Sequence, residues 1–166
     1  MSSYVKLIIF VVVLVSLSLA VVFMDSSMEN INESMPAISD SIVQGDKDYN
    51  ESVELLNSRY FEQSREKALS AGDNYNDSLT KLENIREKYD KDLNDVHKEY
   101  IDTTINELKL KLKAVDELKE AIYYLEIYYN YTGSNHGTAA NDLMYSSLTY
   151  QDERNEIVQE NPELFA

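Results

Sequence analysis

The chain has 166 residues, with 30 acidic side chains against 15 basic ones and no cysteine. A surface this anionic repels nucleic acid and lipid phosphates, so both are excluded as charge-driven partners. The absence of cysteine removes disulfides, thiol catalysis and zinc–thiolate sites, which leaves helix or sheet packing alone to hold the fold.

The first element is an apolar run over residues 7–24, without a charge, preceded by Lys6 and followed by Asp25 and Glu29. About 20 apolar residues at about 1.5 Å each cross a bilayer core of about 30 Å. The run therefore reads as a single transmembrane helix. The Lys6 flank predicts a cytoplasmic amino terminus, with everything after Asp25 outside the membrane. Ser18-Leu19-Ala20 also has the small residues of a signal-peptidase site, so cleavage at Ala20 is the competing reading. The four apolar residues after Ala20 favour an uncleaved anchor.

Beyond the anchor, residues 25–34 read as a connecting segment, 35–158 as one all-α helical domain outside the membrane, and 159–166 as a frayed tail. The expected form is an antiparallel helical bundle or coiled-coil-like hairpin with one long helix. The only punctuating residues are Pro36, Gly45, Gly72, Gly133, Gly137 and Pro162. A helix capped by Ser34 or Met35, with Pro36 in its first turn, buries Ile38, Ile42 and Val43. The stripe resumes at Tyr49, Val53, Leu56, Tyr60, Phe61, Ser64, Ala68 and Leu69. Whether Gly45 breaks this helix or sits inside it is left open by the pattern. Ala71-Gly72-Asp73 is the expected stop, turning the chain into a hairpin.

From Tyr75 to Tyr131 there is no Gly or Pro. Apolar residues step by three and four through Leu82, Ile85, Tyr89, Leu93, Val96, Tyr100, Leu108, Val115, Ile122 and Leu125, a heptad-like seam. A straight or bent continuous helix is expected, with a break conceivable at Asp102-Thr103-Thr104, where Thr104 and Glu107 have capping-box spacing. Gly133 to Gly137 reads as the best loop, with Thr138 capping a last helix over Ala140, Leu143, Met144 and Leu148.

Tyr49-Asn50-Glu51-Ser52-Val53 and Leu56 recur as Tyr75-Asn76-Asp77-Ser78-Leu79 and Leu82. A ring followed by a small residue lets helices pack closely. Over Tyr49 to Leu82 this resembles tetratricopeptide-like helical hairpins, and is similar to single-pass, membrane-anchored helical proteins of methanogenic archaea with Tyr-Asn-rich hairpins. The Gly and closing Pro of a tetratricopeptide unit are missing here. The resemblance implies protein binding or scaffolding rather than catalysis.

No phosphate loop or nucleophile elbow is present. Asp90-Lys-Asp92-Leu-Asn94 and Asp46-Lys-Asp48-Tyr-Asn50 imitate the start of a calcium loop but lack its Gly and its closing Glu. His97 reads as a solvated helix residue, and His136 as a loop residue with nothing to orient it. No catalytic residue, cofactor or metal is expected. Lys109, Lys111 and Lys113 form a basic patch expected to pair with acidic side chains of a packed helix. The candidate interaction surface is Tyr123, Tyr124, Tyr128 and Tyr131, in a run whose rings point around most of a helix. Asn32, Asn50, Asn76 and Asn130 begin glycosylation sequons. The expected function is a membrane-anchored, non-catalytic interaction or structural module with an unidentified protein partner. The alternative is a coiled-coil subunit of an envelope or membrane assembly, self-associating or paired with another membrane protein.

Overall fold

The computed structural model describes Phe23 and residues 29–165, and over these the chain is all-α. Four helices follow in order: α1 (Glu29–Asn57), α2 (Phe61–Lys88), α3 (Asp95–Glu126) and α4 (Asn130–Glu160). The expected anchor, apart from Phe23, lies outside the described residues. No helix among those described is long and apolar enough to cross a membrane.

The helices form two antiparallel hairpins, α1–α2 and α3–α4, joined by packing of α2 on α3. Among the described residues α4 packs on α3 alone, and α1 touches α3 only narrowly. Heptad spacing explains the hairpins. In α1 the buried series Ile31, Met35, Ile38, Ile42, Gly45, Tyr49, Ser52, Leu56 faces Ser64, Ala68, Ala71, Tyr75, Ser78, Leu82, Ile85 of α2. Small residues bring the two backbones together: Ser52 Oγ donates to the Ser64 carbonyl at 2.7 Å, and Ser64 Oγ returns the bond to the Ser52 carbonyl at 2.8 Å.

The hairpin turns differ from the expected ones. The Ala71-Gly72-Asp73 stop is the middle of α2, and the Gly133–Gly137 loop lies inside α4. The chain turns instead at Ser58-Arg59-Tyr60 and Ile127-Tyr128-Tyr129. Arg59 and Tyr128 hold left-handed φ values of 64° and 66°. Each turn closes the preceding helix with a Schellman pair, Tyr60 N–H to Leu55 and Arg59 N–H to Leu56 in one, Tyr129 N–H to Tyr124 and Tyr128 N–H to Leu125 in the other. The left-handed region costs a residue with a Cβ about 1–2 kcal/mol. Arg59→Gly and Tyr128→Gly are each expected to raise stability by about 1 kcal/mol, read as a higher midpoint in thermal unfolding.

The helix expected to run from Tyr75 to Tyr131 is also divided, at Tyr89 to Asn94. Leu93 is buried in this connection, and Asn94 caps α3 by accepting the His97 N–H at 2.8 Å. No break occurs at Asp102–Thr104: Thr104 Oγ1 donates back to the Tyr100 carbonyl one turn earlier, which satisfies it within a continuous helix. Thr138 likewise donates to the Ser134 carbonyl rather than capping α4. At the amino end α1 begins at Glu29, ahead of the expected cap, and Pro36 sits inside it on an exposed face. Gly45 lies within α1.

The two hairpins repeat each other without a gap. Arg59 and Tyr128 are 69 residues apart, and the N-cap residues beside them, Tyr60 and Tyr129, have nearly equal dihedrals (φ −87°, ψ 69° and φ −83°, ψ 64°). The same offset superposes buried positions along both arms: Ser64 on Gly133, Ala68 on Gly137, Ala71 on Ala140, Ser78 on Ser147, Tyr49 on Leu118, Leu56 on Leu125. Ser78-Leu79-Thr80 even recurs as Ser147-Leu148-Thr149.

All hairpin turns therefore lie at one end of the molecule. At the other end, Phe23 packs on His97 and Phe165, with ring centroids 4.3 Å and 5.8 Å away. Asn32 grips the Phe23 backbone, accepting its N–H at 2.7 Å and donating to its carbonyl at 2.8 Å. Phe165 is buried here, so the tail expected to fray from Asn161 folds back over α3.

Candidate functional site

The strongest concentration of chemistry-bearing groups is buried. Tyr75 of α2 donates its hydroxyl to Asp46 of α1 at 2.7 Å, and Lys111 of α3 donates to the same oxygen at 2.8 Å. Lys111 also lies 2.8 Å from Glu107, which in turn pairs with Arg154 of α4 at 3.3 Å. One chain of contacts thus links all four helices. Gly45 makes room for it, because a Cβ there would lie 2.6 Å from the Tyr75 ring.

Burial works against a charged Lys111, yet the carboxylates of Glu107 and Asp46 more than offset it and hold its pKa above the ordinary lysine value. Burial likewise lifts the Asp46 carboxyl above the usual range, despite Lys111 and the Tyr75 hydroxyl. Tyr75 is pushed well up by burial and by the Asp46 charge, which keeps it a donor. Tyr49, buried nearby with an unpaired hydroxyl, is pushed up by burial alone. Lys111 and Glu107 are each 1 % exposed at the side chain, so no substrate reaches them. The cluster acts as a polar lock between helices.

In the first hairpin the equivalents of Glu107, Lys111 and Arg154 are Ile38, Ile42 and Ile85, all buried. The fold therefore does not require charge at these places. The sequence does not mark the cluster because the expected α3 seam runs through Leu108, Leu112 and Val115, whereas Glu107, Lys111 and Ala114 lie one position to its side and are buried as well. Two residues of the basic patch pair as expected, Lys111 within the lock and Lys109 with Glu83 at 2.9 Å, and Lys113 is exposed.

The expected interaction residues part company. Tyr123, Tyr128 and Tyr131 are 50 %, 80 % and 82 % exposed at the turn end of the second hairpin, joined by Tyr129. Tyr124 turns inward and stacks on His136, the planes 3° apart. His136 is oriented after all, within α4, by Glu117 at 2.7 Å from its Nδ1. His97 is not solvated: it is buried between the Phe23 and Phe165 rings, with Nε2 3.3 Å from the Leu164 carbonyl. Asn76 and Asn130 are exposed, Asn50 and Asn32 half-buried, and Asn32 is engaged with Phe23.

The Asp90 and Asp92 segment lies in the α2–α3 connection rather than in a helix, where Asp90 pairs with Arg86. A nearby open groove of about 590 Å³ is lined by Arg86, Asp102, Glu83 and Lys109, whose charges are paired with one another. Among the described residues no group of side chains is arranged to hold a metal ion. No protein-family model matches this sequence, and neither a curated protein nor a solved structure is detectably similar to it.

Proposed function

We propose that the chain is a membrane-tethered, non-catalytic helical module that carries an interaction surface away from the bilayer. The apolar run over residues 7–24 supplies the tether by length and apolarity, its end at Phe23 being packed against the helical part, which lies outside the membrane. The observation that carries the reading is the position of the exposed rings. Tyr123, Tyr128 and Tyr131 stand at the end of the hairpins opposite Phe23, the described residue of the apolar run. With 32 residues in α3, that separation is about 48 Å at about 1.5 Å per residue.

The heptad residues that a coiled-coil partner would need are occupied within the chain, which supports a single-chain module over an assembly subunit. Tetratricopeptide-like scaffolding is in keeping with the hairpin arrangement, although each hairpin here is longer than a 34-residue unit of that kind. A photo-crosslinking residue placed at Tyr128 in intact cells should capture a discrete partner, and one placed at Lys113, on the exposed side of α3, should not. Equal capture from both positions, or none from Tyr128, would remove the basis for the reading.

A further inference from the structure

The sequons at Asn32, Asn50, Asn76 and Asn130 are treated differently by the fold. Glycan transfer needs the asparagine amide and the hydroxyl two residues further on to be offered together to the transferase. Asn32 is half-buried, and both ends of its amide hold the Phe23 backbone. Asn50 and Asn76 lie inside α1 and α2, and the hydroxyls they would need are buried and engaged: Ser52 Oγ donates to the Ser64 carbonyl at 2.7 Å, and Ser78 Oγ to the Ile38 carbonyl at 3.2 Å. To offer either pair, a helix has to open and its serine has to leave the contact between α1 and α2.

Asn130 and Thr132 are placed otherwise. Asn130 is exposed and opens α4, and neither its side chain nor that of Thr132 makes a hydrogen bond within the described residues. The first N–H of α4 to reach a carbonyl one turn back is that of Gly133, to Tyr129 at 2.9 Å, so residues 130–132 can leave the helix at little cost. The repeat shows that folding does not ask for this arrangement. At the equivalent turn, Phe61-Glu62-Gln63 has no sequon, and Phe61 packs half-buried against the core where Asn130 stands in solvent. We infer that Asn130 carries an N-linked oligosaccharide and that the other three sequons stay bare. The Asn130 amide nitrogen attacks the anomeric carbon of a lipid-diphosphate-linked oligosaccharide. The new C–N bond forms as the bond from that carbon to the diphosphate oxygen breaks, the lipid diphosphate leaves, and the amide gives one proton to a base of the transferase. A bulky, solvated glycan has room at this end of the hairpin. Tyr128 and Tyr131, 80 % and 82 % exposed on either side, offer flat faces to its first sugars. A partner then meets carbohydrate and rings together.

This inference rests on the helical part lying outside the membrane, as in the reading above, and the test keeps the two apart. Full-length protein is recovered from the membranes of the cells that make it, and its peptides are read by mass spectrometry. The peptide holding Asn130 should carry a glycan, and those holding Asn32, Asn50 and Asn76 should be unmodified. Thr132→Ala should remove the glycan and Thr132→Ser keep it, both at unchanged helicity. In a second arm, unmodified full-length protein in lipid nanodiscs meets a purified oligosaccharyltransferase and a lipid-linked oligosaccharide, in the Thr132→Ser form so that all four sequons end in serine. Asn130 should react about tenfold faster than Asn50 and Asn76, or more, whereas synthetic peptides of the four sequons, free of the fold, should all be accepted. A bare Asn130 in the cellular protein, or Asn50 and Asn76 modified as fully as Asn130, overturns the assignment. With Asn130 bare, protease added to intact cells shows which premise failed. Cleavage of the helical part leaves its placement standing and removes the glycan alone; a shielded helical part removes the placement as well.

Discussion

Lys111→Met is expected to destabilise the helical part by about 3–5 kcal/mol, the typical cost of leaving a buried partner charge uncompensated. The loss arises because Asp46 and Glu107 each lie 2.8 Å from the lysine nitrogen and would face one another without it. Glu107 keeps Arg154, at 3.3 Å, so Asp46 is the carboxylate left most exposed to the change. Removing the whole lock is a different experiment. Replacing Glu107, Lys111 and Arg154 with the isoleucines of the first hairpin, and Asp46 with the valine found at its equivalent, position 115, leaves no charge in the cluster. That fourfold variant, with Tyr75→Phe to remove the orphaned donor, is expected to be neutral or more stable by about 1–4 kcal/mol. Urea unfolding followed by circular dichroism distinguishes the two. Equal destabilisation by the single and combined variants would mean that the cluster contributes through packing rather than charge balance.

Gly45→Ala and Gly133→Ala are expected to lower stability by about 1–3 kcal/mol each, although alanine gains about 1 kcal/mol over glycine in a helix interior. The reason is steric. A Cβ at position 45 meets the Tyr75 ring at 2.6 Å, and the ring cannot yield without breaking its bond to Asp46. At position 133 the added carbon would lie 2.6 Å from Leu125 Cγ and 3.1 Å from the Leu125 backbone nitrogen. Gly72→Ala meets only Val115, at 3.4 Å, an ordinary contact, and should be neutral or stabilising. A higher melting temperature for Gly45→Ala than for the parent chain would show that the ring has room to move.

These glycines also explain which parts of the fold were legible beforehand. The apolar period of three and four identifies an all-α chain and most of its buried residues, because heptad spacing reports helix faces directly. The turns lie away from the glycines, because glycine in this chain sits inside helices rather than at their ends. Gly45 and Gly133 are used for close helix contact and Gly72 lies in the middle of α2, while the chain reverses at Arg59 and Tyr128, residues that carry no turn signal and are tolerated at a cost. The connection at Tyr89 to Asn94 was hidden for the opposite reason: Leu93 is apolar and on period, yet it plugs the connection instead of continuing a helix. The sequence echo between Tyr49 and Tyr75 is real packing, since both rings are buried in the first hairpin. The structural repeat has a period of 69, and its longest shared run of residues is Ser78-Leu79-Thr80 with Ser147-Leu148-Thr149. Of the site, the tyrosine run could be seen because it is dense. The buried lock could not, because pairing across four helices leaves no local pattern.

The orientation of the molecule can be measured directly, since the chain has no cysteine of its own. A donor dye attached at Lys91→Cys, in the α2–α3 connection, or at Tyr128→Cys, in the far turn, is compared for energy transfer to acceptor lipids in proteoliposomes. The label at position 91 should transfer strongly and the label at 128 weakly, as two points about 48 Å apart along α3 require. Equal transfer from both positions, or stronger transfer from 128, would contradict a tyrosine tip held away from the bilayer.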